Sequence, residues 1–525
     1  MLGKKDRKND YDAIIIGSGI GGLTAGAYLA RKKTRALVCE QNHLPGGCFS
    51  SFTRKGYTFD GGIQGCEDSG MLHAMLGQLG IADRITLTCG KSAWAAPDIF
   101  VPFPTYAGLA EFYRKLEAVY PGEVPALREV SGEVQRLCRV FDGVFGAPNP
   151  GFLSFFQFLA TLVKWIPRHA WAMKDMGFFL RLLNTPVDDY LKTKFKDPRP
   201  ARMLSQTIYR GSGASFALPF FYFFTQYFYP RGGVQVLPNL LASYIAENGG
   251  EVRCKTLVKE IIFEDGKARG VKLESGETIR APFVISNADA RATFLKMLPP
   301  EATPDDYRER LRKSEVSESM FSVFLGVDIP PEKLPVQGCQ HVFYLTSYDG
   351  VGFDDVEKDP DYYKKSFIMV MIPSMEDPTL APPGKSVIIL QTAAVREFAN
   401  AWGAPDGKRT EEYKQIKEKV ADQLIANVEK IIPGLSAKIE MKITASPLTY
   451  YRYTMNSGGA TGGWSKHIDR TFGRGVKGYM NVFSPVKNLY LCGHWTSVLG
   501  GAPIGMTTGR MVAAIVNTKR KLGYR

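Results

Sequence analysis

The sequence predicts an α/β fold, a parallel sheet flanked by helices, on three observations. A short apolar run, Tyr11–Ile16, turns through the glycine series Gly17-Ser18-Gly19-Ile20-Gly21-Gly22 into a helix of small residues, Leu23–Arg31. A second β-rich run, Arg35–Cys39, follows and ends on an acid, Glu40. With 525 residues and 45% hydrophobic content the chain can bury a large core, and it is expected to divide into two domains.

Each element has a physical reason. A short, continuously apolar run suits a strand buried on both faces of a parallel sheet. Gly17 permits a tight turn, Gly19 lets the backbone approach a pyrophosphate, and Gly22 lets the helix pack closely on the strand. The anion then sits on free N–H groups at the positive end of that helix. Glu40 stands 18 residues after Gly22 (40 − 22), where a carboxylate accepts hydrogen bonds from a ribose hydroxyl and repels a 2′-phosphate. Gly17, Ser18, Gly19, Gly21, Gly22 and Glu40 are therefore the candidate residues of a dinucleotide site. Glycine fits this reading along the whole chain: 53 residues, about a tenth of the total against a usual ~7%.

Charge and composition narrow the partners. Lys and Arg outnumber Asp and Glu by 66 to 52, a net charge of +14. A basic surface attracts nucleic acid or an anionic membrane face. The chain has no zinc-ligand spacing and no arginine-rich tract, so a membrane surface is expected and nucleic acid is not. Eight scattered cysteines without a CxxC pair read as reduced thiols of a cytoplasmic protein, not as a disulfide framework. The opening Met1–Asp10 is charged and lacks an apolar signal core, and no apolar run is long enough to cross a bilayer. The expectation is a cytoplasmic protein held peripherally on a membrane. Other chemistries fail on spacing. Gly90-Lys91-Ser92 and Gly384-Lys385-Ser386 lack the upstream glycine of a P-loop, having Ile85 and Thr379 there. Gly213-Ala-Ser215-Phe-Ala217 lacks the closing glycine of a nucleophile elbow, and the six histidines have no metal-ligand spacing.

Two further segments separate the possible dinucleotides. Pro45-Gly46-Gly47-Cys48, followed by Gly56–Gly62, resembles the second FAD segment of the phytoene desaturase and amine oxidase superfamily. Asn488–His494 with Gly500–Met506 resembles that family's closing motif, which caps the flavin end of FAD. Between them Tyr229–Leu237, Gly249-Gly250, Val258, Gly270-Val271, Gly276 and Ile285–Asp289 are similar to its middle segment, whose small sheet returns to the adenine side. The branch most resembled holds carotenoid cis–trans isomerases, retinol saturases and bacterial phytoene desaturases. The resemblance implies FAD and adds Gly46, Gly47, Cys48, Val258, Asn287, Gly493, His494, Gly505 and Met506 to the cofactor-binding residues. Two positions depart from the pattern: Cys48 stands where many members carry an arginine, and His494 where amine oxidases and isomerases carry an acid. The implied fold is a Rossmann-like FAD-binding domain of the amine oxidase and GDI type, with an inserted mixed α+β substrate domain. Residues 10–93, 230–290 and 476–525 are assigned to the first, and 94–229 and 291–475 to the second.

The substrate domain carries two apolar features. Gly151–Val163 and Ala170–Leu180, broken by Trp and basic residues, suit a helix pair lying in a membrane interface near 151–182. The aromatic-dense run Phe216–Tyr229 suits the wall of a tunnel for a long flat apolar chain, with Phe220, Phe224 and Tyr227 as candidate lining. Tyr453 and Trp464, from Thr449–Tyr453 and Gly458–Trp464, are candidates for a second wall. The expected activity is desaturation, saturation or cis–trans isomerisation of C=C bonds in a polyene or isoprenoid lipid, with the three reactions, the electron partner and the catalytic residues left open. A soluble FAD-dependent amine oxidase and a prenyl-lipid escort of the GDI kind are the alternatives. The apolar stretch at 151–180 argues against the first, and the intact glycine series with Glu40 against the second.

Overall fold

The structure is a computed structural model that describes residues 11–103, 108–145, 155–205, 212–349, 361–465, 481–497 and 500–524, with 356 and 359. The charged opening Met1–Asp10, residues 151–154 of the expected interface segment, and residues 476–480 of the last assigned FAD segment lie outside the described residues.

A five-stranded parallel sheet takes its strands from three distant parts of the chain, in the order Glu251–Arg253, Ala36–Cys39, Ala13–Ile16, Phe283–Ser286, Leu489–Leu491. All residues of the middle three strands are buried, as their apolar composition requires. Register aligns Ile16 with Ser286 and Ser286 with Leu491. The glycine turn, Asn287 and Gly493 therefore emerge together at the carboxyl end of the sheet, where open α/β sheets bind their ligands.

The helix Ile20–Arg31 packs between Val236–Glu247 and Gly501–Lys521, and small residues allow the close approach. A β-carbon on Gly22 would lie 2.2 Å from the Gly17 carbonyl oxygen, and one on Gly509 2.2 Å from that of Gly21. The strands Val258–Glu264, Lys267–Leu273 and Thr278–Arg280 form a small antiparallel sheet beside this unit.

A second sheet has seven strands in the order Ile439–Ala445, Ser319–Val327, Ser386–Ala394, Phe367–Met371, Cys339–Leu345, Lys91–Ala96, Ile99–Phe103. Along Ser319–Val327 the side chains alternate between two cores: Phe321, Val323 and Leu325 pack toward the helix Glu411–Val428, Met320 and Phe324 toward the main core. The boundary expected after residue 93 falls inside Lys91–Ala96, whose whole length belongs to this sheet. Its few apolar residues, read alone, do not say which of two sheets they join.

Helices Gly108–Val119, Val124–Phe145 and Phe155–Leu182 form a third layer. Where a helix pair was expected near 151–182, the described residues 155–182 form one helix that passes through Pro167. A proline removes one hydrogen bond and bends a helix without always ending it. Asp175 pins this helix to its neighbour by accepting from Arg136 Nε at 2.7 Å and Arg139 Nη2 at 3.0 Å.

Candidate active site

The carboxyl end of the parallel sheet opens into a continuous cavity of about 910 Å³. One end is a glycine cradle, the other an apolar lobe, and the two meet between the parallel sheet and the second sheet.

In the cradle, Gly17, Gly19, Gly21, Gly46 and Gly47 face the cavity with Glu40. Gly17 and Gly46 have φ of +90° and +129°, and Gly19 and Gly46 form a short parallel bridge. Glu40 is 5% exposed, and its carboxylate is held by two backbone donors, Ser18 N–H at 2.9 Å and Asn42 N–H at 2.9 Å. Two side-chain donors, Ser18 Oγ at 2.5 Å and Asn42 Nδ2 at 3.0 Å, complete its shell. Asn287 fills the space between the two glycine turns: a β-carbon would come within 2.7 Å of its amide at Gly19 or Gly21, and within 2.3 Å at Gly493. Val258, Asn287, Gly493, His494 and Gly505 also line the cavity.

Three of the expected cofactor residues do not. Ser18 is fully buried with its hydroxyl turned inward on Glu40 and the Gly46 N–H, Gly22 faces the sheet, and Met506 is core at 0% exposure. They shape the cradle from behind.

Phe220, Phe224 and Tyr227 line the apolar lobe with Phe141, Phe179, Phe216 and Met369. Of the other two expected lining residues, Tyr453 lines the same cavity at its rim and Trp464 does not. Tyr453 is 59% exposed at the ribose end, where its carbonyl accepts from Gln41 and Asn42. Trp464 is buried against Trp495 and donates to that residue's carbonyl at 2.8 Å. The stretches that hold them are similar in position to family residues facing the flavin ring, and tertiary contacts put Tyr453 at the cavity rim and Trp464 in a core.

At the junction of the lobes, the Tyr450 hydroxyl is 2.7 Å from Ser322 Oγ and accepts from Gln391 Nε2 at 3.3 Å, while Gln391 also donates to the Gly62 carbonyl at 3.2 Å. Burial pushes the thiol of Cys48 up to about 11 and that of Cys39 up to about 12, so both stay protonated and neither is an activated nucleophile. Tyr450 lies within Thr449–Tyr453, the stretch expected to form a second wall, whereas sequence reasoning missed Gln391 and Glu67. Each is a lone polar residue in an apolar setting, and no spacing rule picks it out.

A sequence model of the flavin containing amine oxidoreductase family matches residues 20–517. The chain belongs to that family. This flavin containing amine oxidoreductase is 29% identical over 491 residues, 87% of this chain and 72% of the other, to a chloroplastic prolycopene isomerase of Daucus carota. It is 27% identical over 552 residues, 98% of this chain and 87% of the other, to an all-trans-retinol 13,14-reductase of Danio rerio. Its fold is that of a putrescine oxidase bound to putrescine, with a TM-score of 0.61 at 13% identity, over 97% of this chain and 99% of that one. The cradle fits a flavin cofactor: the glycine faces leave no side chain in the path of a pyrophosphate, and the acid stands where a ribose is read. The protein is thus a flavin oxidoreductase, and no helix among the described residues is long and apolar enough to cross a membrane.

Proposed function

We propose that the protein is an FAD-dependent oxidoreductase that desaturates, saturates or isomerises C=C bonds in a long apolar polyene or isoprenoid lipid. The observation that carries this reading is the continuity of the cavity, in which the glycine cradle runs without a break into an aromatic-walled lobe. Prolycopene and all-trans-retinol, named in two of the similar enzymes, are chains of this kind.

When bound, FAD supplies exchange of a hydride equivalent with a substrate carbon. The chain's own residues do the rest. Glu40 and the glycine turns hold the adenosine and pyrophosphate. Phe220, Phe224 and Tyr227 bury the polyene at roughly 25 cal/mol per Å² of apolar surface and exclude water from the reacting bond. Tyr450, fixed by Ser322 and Gln391, walls the junction between the lobes.

We also place the protein on an anionic membrane surface, as a peripheral protein with reduced thiols suited to the cytoplasm. None of the eight cysteines forms a disulfide. Along Phe155–Leu182, Leu159, Val163, Ile166, Ala170 and Gly177 recur at helical spacing on one outward face, with Val163 69% exposed. The opposite face supplies Met176 and Phe179 to the cavity, and Leu180, which lines the cavity, is 51% exposed. A lipid therefore has an apolar path from a bilayer into the lobe.

The test is an absorption spectrum of the purified protein before and after anaerobic dithionite, with a hexane extract alongside. Flavin bands that bleach on reduction, together with a co-extracted or bound polyene, are expected. A protein that stays colourless after FAD is added overturns the enzyme reading. Co-sedimentation with anionic but not zwitterionic vesicles tests the membrane placement.

A further inference from the structure

Each reaction proposed for the cavity moves a proton, and the two carboxylates that line the cradle are already engaged. Glu40 is fixed by four donors at the ribose end, and Asp289 caps the helix Ala290–Leu295 while accepting from the Ser457 N–H. The buried thiols hold their protons.

Glu67 is placed differently. It pairs with Tyr227 in a short antiparallel bridge, so its carboxyl faces the cavity beside one of the aromatic lining residues. Its Oε1 also lies against the first residue of the helix Gly501–Lys521, 3.1 Å from where a β-carbon on Gly501 would stand. Ala502 and Pro503 of that helix line the same stretch of cavity. Glu67 thus sits between the closing glycine motif and the aromatic lobe, where the two lobes meet.

We infer that Glu67 is the catalytic acid–base of the cavity, exchanging a proton with a polyene carbon, which in saturation and desaturation is the one next to the carbon that exchanges hydride. This assignment rests on the polyene reading above. In saturation, a hydride equivalent from the reduced cofactor reaches one alkene carbon and the Glu67 carboxyl gives a proton to its neighbour. One π bond is lost, two C–H bonds form, and the carboxylate regains its proton from water. Desaturation is the reverse, with the Glu67 carboxylate taking the proton as hydride leaves the adjacent carbon. Isomerisation needs only addition of the proton to one polyene carbon, rotation about the bond that thereby loses double-bond character, and return of the proton to Glu67.

The electrostatic setting suits the role. Burial pushes the Glu67 carboxyl up to about 7, opposed by a hydrogen bond from its own backbone. The ionisable neighbours are Cys66 and Asp68 on its own segment, Asp68 being engaged by His73 Nδ1 at 3.0 Å, and Tyr227 and Tyr229 on the paired strand. Cys89 stands on the third strand of this sheet, and of the elements packed against it the turn Phe220–Gln226 carries Tyr222 and the helix Gly501–Lys521 has Arg510 as its first ionisable residue. None of them sets the proton affinity of Glu67, which follows from its apolar surroundings. A group balanced near neutrality is the most effective general acid or base at neutral pH.

The experiment pairs a readout that needs no substrate with one that does. In pH-difference infrared spectra, a protonated carboxyl band is expected to titrate near pH 7 in the wild type and to vanish in Glu67→Gln. On FAD-loaded protein with a polyene, Glu67→Gln is expected to lose at least about 100-fold in turnover with little change in KM. Glu67→Asp should recover part of it with a shifted pH profile. Absence of a neutral-range band, or full turnover by Glu67→Gln, overturns the assignment and leaves the polyene reading standing. An intact neutral titration in a protein that binds no polyene instead overturns the polyene reading, and with it the destination of the proton.

Discussion

Asn287 wedges two glycine turns that are far apart in sequence, and a double-mutant cycle can measure how much it constrains them. Gly19 has an ordinary backbone, φ −58° and ψ 167°, so an alanine there pays no conformational penalty. Its added β-carbon meets a single neighbour at close range, Asn287 Nδ2 at 2.7 Å. Gly21 differs: its β-carbon meets Asn287 Oδ1 at 2.7 Å and also the Gly493 backbone, at 2.8 Å from N and 2.9 Å from Cα. Overpacking of this kind costs about 1–3 kcal/mol. Gly19→Ala is therefore expected to destabilise the wild type by that amount, and by less than about 0.5 kcal/mol in an Asn287→Ala background, a coupling within the range of touching residues. Gly21→Ala should remain costly in both backgrounds, because backbone cannot move aside. The assay is the denaturation midpoint of the four proteins of each cycle, with flavin affinity measured in parallel. Equal coupling at Gly19 and Gly21, or none at Gly19, refutes the reasoning.

Other expectations follow from single environments. Glu40→Ala leaves two backbone N–H groups without their charged acceptor, and flavin affinity should fall about ten- to a hundredfold by fluorescence titration. Asp60 is buried and accepts from Ser51 Oγ at 2.7 Å, Tyr229 Oη at 2.8 Å and Val234 N–H at 3.0 Å, so Asp60→Ala should cost about 3–5 kcal/mol in chemical denaturation. Glu67 has a folded pKa raised from 4.5 to about 7, so the folded state binds more protons than the unfolded one between these values. Stability should fall as pH rises through that window, by at most about 3 kcal/mol and less for a carboxyl partly open to a cavity. Glu67→Gln should remove this dependence from a series of melting curves. Ala399 lies in a left-handed turn at φ +47°, and Ala399→Gly is expected to raise the melting temperature through about 0.5–1 kcal/mol of relieved strain.

What the sequence made legible was set by backbone demand. Gly17, Gly19 and Gly46 could be placed because a turn, a close approach or a positive φ restricts the residue type, whatever surrounds it. The same logic found the strands on either side, since four buried apolar residues in a row admit few other readings. It failed where a side chain's direction matters. Ser18 and Met506 sit inside readable motifs yet turn away from the cavity, and Trp464 shares aromatic character with Phe224 while standing in a core. Glu67 was beyond reach for another reason. Its proton affinity is a property of an apolar enclosure built by residues 220–227 and 500–503, more than 150 positions downstream along the chain. Asn287 shows both limits at once. Its motif, Ile285-Ser-Asn287, was readable, but its place between Gly19, Gly21 and Gly493 follows only from the register that sets Ile16 beside Ser286 and Ser286 beside Leu491. Three strands ending level on one sheet edge turn three separate loops into a single cradle, so the pairing of those strands, more than any one loop's composition, brings the flavin site into being.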